Sequence, residues 1–277
     1  MIFNDIMSAK GGSTWGGKKY WVIFKNRLQA SFAYRINYLA SFFAEGLSLV
    51  IMLYLWISIY HQGNKIGEYS LGSLIIYFIF TKYLNLTVRS YDVARYVGEM
   101  VRLGNFNNYL LKPLSFFGHT LSYHLGIVVN NLLIFTIIFY PILFWMDLNV
   151  TLLTFIYFIF SIILAFFINF LFFYSIGLSG LYFGYIAGFN FLMMGVNSFF
   201  SGSLIPIDLF PKYIININNF LPFKYIVYVP ISIITNKFSQ SEILINLLFA
   251  LIWSIILWFI GYLIFKGGTK KYEAISG

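Results

Sequence analysis

The chain contains no cysteine, which excludes disulfides, thiolate metal sites and cysteine nucleophiles and leaves no redox signature of its compartment. Charge is scarce as well. Charged residues make up 10% of the 277 positions, whereas a soluble domain carries about 25% to clothe its surface. Histidine occurs three times, at His61, His119 and His124, and no H-E-x-x-H pattern is present. His119 and His124 are five apart and fall on different faces of a helix, which suits bonds to water or carbonyls better than zinc ligation. Proline is rare, yet four of the six, Pro206, Pro211, Pro222 and Pro230, crowd into one short stretch.

What fills the chain is apolar. Sixty percent of the residues are hydrophobic and the mean hydropathy is +0.81. Runs near the roughly 20 residues needed to cross a bilayer fall at 36–60, 71–88, 117–145, 151–174, 181–203 and 243–265. The pattern predicts an all-α integral membrane protein with six transmembrane helices and a single transmembrane domain over 1–277. Its parts would be a loose Gly/Ser-rich tail at 1–17, an interfacial helix at 18–35, a six-span bundle at 36–265 and a cytoplasmic tail at 266–277. No stretch is left for a soluble domain of ordinary size. The first apolar run follows about 35 polar or basic residues and is longer than a signal h-region of 7 to 15, so it should stay as a helix.

Thirteen of the eighteen Lys and Arg fall on one side if the N-terminus is cytoplasmic, which predicts both termini inside the inner (cytoplasmic) membrane. The net charge of +9 is then a membrane signature, and nucleic acid is not an expected partner because no folded polar surface collects the basic residues.

Two motifs suggest enzymes and then fail. Gly12 to Lys19 comes close to a phosphate-binding loop, but Lys19 stands where a magnesium-binding hydroxyl is required and no strand precedes it. Gly177, Leu178, Ser179 and Gly180 match the G-x-S-G of intramembrane serine proteases, but all three histidines come earlier in the chain and Ser179 lacks a later base. Gly180, Gly184 and Gly188 are spaced by four and predict one bare helix face for a tight helix contact.

In segment 18–35, Trp21, Phe24, Leu28 and Phe32 form one apolar stripe, as a helix lying in the headgroup layer requires. After the second run, Asp92, Arg95, Glu99 and Arg102 share one face of a short helix, with Val93, Tyr96, Val97, Met100 and Val101 on the other; periodicity alone reads equally well as a solvated face. Glu45 and Lys82 lie inside apolar runs, where an ionised group is costly unless paired or wet. With Asn85, Asn190 and Asn197 they are the candidates for a translocation path. These asparagines, like Asn130, Asn131 and Asn169, equally suit bonding one helix to another. Residues 201–230 are too apolar for a solvated loop, and Pro206, Pro211 and Pro222 mark its breaks. They predict an outer re-entrant hairpin of two short helices, since irregular backbone at membrane depth must be buried in protein or line a cavity.

Two stretches carry a family resemblance. Gly104-Asn105-Phe106-Asn107-Asn108-Tyr109-Leu110-Leu111-Lys112-Pro113-Leu114 is one; the other runs Gly202-Ser203-Leu204-Ile205-Pro206, Leu209-Phe210-Pro211 and Leu221-Pro222-Phe223. Together with the order of the apolar runs, they resemble the permease subunits of ABC-2 type exporters. The resemblance implies a permease paired with a second permease, identical or not, and with two separate ATPases. It is not itself an enzyme: no cofactor is implied in this chain, since ATP and magnesium would belong to the ATPase. It further implies that the helix bearing Asp92, Arg95, Glu99 and Arg102 couples to the ATPase. Pro206, Phe210, Pro211, Leu221, Pro222 and Phe223 would form an outer gate, and the cargo would be an amphiphile such as a lipid, glycolipid, peptide or drug. The competing expectation is a membrane immunity or assembly factor that transports nothing.

Overall fold

The computed structural model describes residues 17–33, 35–61, 67, 69–110, 114–145 and 150–276. The expected tail at 1–17 lies outside these residues except for Gly17, as do Lys112 and Pro113 of the first motif. Among the described residues the architecture is helical throughout, with no strand. The elements are α1 (Lys18–Ala33), α2 (Arg35–His61), α3 (Leu71–Thr87), α4 (Tyr91–Arg102), α5 (Asn107–Leu110), α6 (Phe116–Trp145), α7 (Leu152–Leu178), α8 (Gly180–Phe183), α9 (Ala187–Phe200), α10 (Lys212–Asn219), α11 (Tyr228–Ile234) and α12 (Gln240–Ser276). Single 3-10 turns at Ile207–Leu209 and Phe223–Tyr225 punctuate the region between α9 and α11.

Five stretches among the described residues are long and apolar enough to cross a membrane: Phe43–His61, Leu71–Arg102, Phe116–Ile137, Leu152–Phe183 and Gln240–Lys271. The run at 181–203 does not join them. Its helix breaks at Gly184, whose φ of +73° is a left-handed conformation that a side chain resists, and α9 has only 14 residues. At 1.5 Å per residue that is about 21 Å, short of a hydrocarbon core of about 30 Å. The break also undoes the expected glycine face. A Cβ on Gly184 or Gly188 would meet nothing within 4 Å, so these two glycines make no close helix contact. The C-terminal residues, expected as a tail from 266, continue α12 to Ser276.

Serine and threonine caps explain where three long helices begin. Ser70 Oγ accepts from the Ser73 amide at 3.1 Å at the head of α3, and Thr151 Oγ1 accepts from the Thr154 amide at 3.1 Å at the head of α7. Ser239 and Glu242 exchange bonds at the start of α12, where the Glu242 carboxylate accepts from the Ser239 amide at 2.8 Å and Ser239 Oγ accepts from the Glu242 amide at 3.4 Å.

The bundle centres on α7, which packs against α12, α4 and α11. Between α3 and α4 the chain bends over Val88–Ser90, and the carbonyls freed by the bend are claimed by neighbours. Asn131 Nδ2 on α6 donates to the Leu86 carbonyl at 3.0 Å, and Asn169 Nδ2 on α7 donates to the Val88 carbonyl at 3.0 Å. These two asparagines bond helix to helix, one of the roles their composition allowed.

Helix α1 lies along α6. Its inward stripe is Tyr20, Phe24, Arg27, Leu28 and Ser31, admitted because Gly118 and Gly126 leave space on α6 where a Cβ would come within 3 Å of the Tyr20 ring and the Phe24 carbonyl. Trp21, expected in the apolar stripe, is exposed and stacks on Phe24 with ring centroids 5.2 Å apart. The side chain of Phe32 lies outside the described residues.

Candidate functional site

The residues singled out from sequence fall in three places. The first is α4. Its apolar face, Val93, Ala94, Val97, Gly98 and Val101, is buried against the ends of α7 and α9. The contact is close because both sides use glycine: a Cβ at Gly177 would lie 2.7 Å from Val97 Cβ and 3.1 Å from Ala94 Cα, and one at Gly98 would lie 2.6 Å from Ile186 Cδ1. On the opposite face Arg95, Glu99 and Arg102 are exposed. Asp92 is half-buried and receives Arg95 Nη2 at 2.9 Å and Arg89 Nη2 at 3.5 Å. Just beyond the helix, Phe106 is wholly buried against Phe116, with centroids 5.0 Å apart, and anchors the first motif.

Beside α4 the histidines find hydroxyls rather than water or carbonyls alone. His119 Nε2 lies 3.0 Å from the hydroxyls of both Tyr96 on α4 and Tyr109 on α5, and buried His124 lies 3.1 Å from Ser90 Oγ. The hydroxyl of Ser179 donates to the Ile176 carbonyl at 2.6 Å.

The second place is a cavity of about 740 Å³, its open mouth included, bounded by α2, α3, α7, α9 and the segment after α9. Of the five candidates for a path, Glu45, Asn85 and Asn197 line it together. Lys82 reaches the same wall from α3. Its Nζ is 3.1 Å from Glu45 Oε2 and 2.7 Å from Ser48 Oγ, so the two charged residues set inside apolar runs pair with each other. Asn190 is not part of this lining. Arg89, Asn169, Ser198 and Ser203 complete the polar wall. Arg89 and Ser198 are the ones that residue patterns do not single out, since which faces meet depends on how helices distant in sequence pack.

The third place is the proline-rich segment. Pro206 and Pro211 precede the first 3-10 turn and α10, where a missing amide costs nothing. Pro206, Phe210, Pro222 and Phe223 are buried, Leu221 is half-buried and Pro211 is exposed. Phe210 stacks on Phe199 at 4.7 Å, and Phe223 meets Phe172 edge-on at 5.0 Å. Every residue of α11 is buried. Asp208 ties the segment to its surroundings: it accepts from the hydroxyls of Tyr69 and Tyr228, each at 2.5 Å, and pairs with Lys237. Burial on its own pushes the Asp208 carboxyl up, but the hydrogen bonds from Lys237, Tyr228 and Tyr69 and the Lys237 charge outweigh it and hold the group below its ordinary value. Burial, reinforced by that carboxylate, pushes both tyrosine hydroxyls well above the ordinary phenol range, so they remain donors. Asp208 and Lys237 are 29 residues apart in the chain, and only the fold brings them together.

Residues 47–276 match the family described as ABC-2 family transporter protein. The chain belongs to that family. No curated protein matches the sequence. The ABC-2 match takes in α4, the proline-rich segment and the cavity lining apart from Glu45, and leaves α1 and the start of α2 outside it. An ABC-2 membrane component is a multi-pass membrane protein and is not itself the ATPase.

Proposed function

We propose that this ABC-2 protein is the permease of an ATP-driven exporter, paired with a second permease and served by two separate ATPases that bind ATP and magnesium. The observation that carries the proposal is the two-faced character of α4. One face is locked by glycine contacts onto α7 and α9, while the other offers Arg95, Glu99 and Arg102 to a partner. A push on the charged face must therefore reach the cavity wall, because α7 and α9 both contribute to it. Coupling of this kind needs a partner whose contacts differ between two states, and nucleotide binding by the ATPase supplies them.

The chain would sit in the cytoplasmic membrane with both termini inside and α1 in the inner headgroup layer. Helix α9 would rise only part-way from the inner side, and the segment after it, folded at membrane depth, would complete the fifth of six crossings. Ser203 Oγ donates to Asn85 Oδ1 at 3.4 Å, and Asn85 lies about 21 Å along α3 from its outer start at Leu71. That depth supports a re-entrant hairpin, with Pro206, Phe210, Pro211, Leu221, Pro222 and Phe223 forming an outer gate above the cavity. The cargo is an amphiphile able to exchange between the cavity and the bilayer.

The R95E/R102E double variant tests the coupling face. Reversing two charges at an interface costs several kcal/mol, so the fraction of the ATPase retained by the permease in mild detergent should fall by about tenfold or more, with membrane insertion unchanged. Undiminished retention would overturn the assignment.

A further inference from the structure

We propose that the cavity between α3, α7, α9 and the re-entrant segment binds a neutral, hydroxyl-rich headgroup such as a sugar or polyol. The assignment rests on the permease proposal for its purpose, though not for its test.

Asn169 is 4% exposed and lines the cavity. Its Nδ2 is committed to the Val88 carbonyl, which fixes the amide's orientation, and its Oδ1 has no hydrogen-bond partner among the described residues. A buried acceptor without a donor is costly, and native structures rarely leave one unmet. Asn197 repeats the situation across the cavity, its Oδ1 also buried and without a partner among the described residues. Asn85 Oδ1 has only the long 3.4 Å bond from Ser203. Two acceptors of lining residues are therefore unmet and a third is weakly met, which favours a ligand with several O–H donors.

The charges narrow the class. Glu45 faces Lys82 at 3.1 Å, and Arg89 faces Asp92 at 3.5 Å. A cationic amine would have to displace Lys82 from Glu45, and a phosphate would have to draw Arg89 away from Asp92. A neutral polyol disturbs neither pair and supplies the donors that the amide oxygens lack. Hydroxyls also carry acceptor lone pairs, which suit Ser198 at the same wall.

Because the chain has no cysteine, S198C places a single thiol in the cavity, and its alkylation rate by a small maleimide reports occupancy. The experiment uses the full chain in lipid nanodiscs, without ATPase or nucleotide, and three probes with the same eight-carbon tail: octyl β-glucoside, octylammonium and octyl phosphate, each below its micelle-forming concentration. Octyl glucoside should slow alkylation at S198C while leaving a control thiol at exposed N216C untouched. Adding N197L, which removes one vacant acceptor without disturbing the Val88 carbonyl, should raise the half-protecting concentration about tenfold. Stronger protection by octylammonium or octyl phosphate would overturn the neutral assignment in favour of a cation or anion site. Protection by none of the three would mean that the cavity holds water only, and would overturn it altogether. Either failure leaves the R95E/R102E result, and with it the permease proposal, standing separately.

Discussion

Asp208 shows how much a single side chain can hold in an apolar protein. It binds a tyrosine ahead of α3, a tyrosine on α11 and the lysine that follows α11, joining three segments far apart in the chain. Its carboxyl is held below the ordinary value, so the stabilisation is fully present above that value and is lost as acidification carries the group through its lowered folded value. D208N should destabilise the protein by about 1.5 kcal/mol, the low end for hydrogen bonds to a charged group because the site is about one-third exposed. The measurement is thermal unfolding in detergent: a melting temperature lower by roughly 3–6 °C at neutral pH, and a gap to wild type that closes as the pH drops below about 4. Hydropathy marks Glu45 and Lys82 as costly residues, each taken alone. Their partnership depends on how α2 and α3 line up across a connection whose geometry no local pattern records. Amide–carbonyl bonds such as Asn169 to Val88 were foreseeable in kind, because a buried amide needs partners, but not in address.

At the scale of elements, the long helices were legible from hydropathy, and α4 from its 3.6-residue alternation of charge and aliphatic side chains. The run at 181–203 is not one continuous helix, for a physical reason. Hydropathy integrates over a window and does not register that one residue, Gly184, adopts a left-handed φ and ends the helix. The spacing of Gly180, Gly184 and Gly188 suggested a contact face, whereas the glycines that bring helices together are Gly98, Gly177, Gly118 and Gly126. A direct comparison follows. G177A forces a methyl against Val97 and the Ala94 backbone and should cost about 1–3 kcal/mol, the usual range for overpacking. G188A has open space around it and sits inside α9, so it should be neutral or slightly stabilising. Parallel unfolding curves in detergent decide this; equal losses at the two positions would contradict the packing of α4 on α7.

For the whole molecule, the distribution of basic residues and the two-faced α4 make one joint statement about sidedness. With no native thiol, E99C and N216C each introduce a unique label site on exposed helix surface. A membrane-impermeant maleimide added to intact cells should label N216C and spare E99C, and permeabilisation should expose E99C. The reverse pattern would turn the protein over and remove α4 from any cytoplasmic ATPase. Composition announces the bilayer at once, and the prolines mark where the chain after α9 breaks into short turns. The depth of that segment was not readable, because it depends on α9 stopping early.

Helix α12 has 37 residues and is therefore about 55 Å long. A bilayer with its headgroups measures about 40–45 Å, and a tilt of about 20° shortens the helix's reach by only a few ångströms. One end must stand clear of the membrane as a rigid post. It packs beside α7 and α8, and its Phe265 ring lies 6.2 Å from that of Phe106 just beyond α4, so a motor docking on α4 as proposed would meet a fixed fence along one flank. The approach is thereby confined to the remaining side, and the fence sets the angle from which force can be delivered.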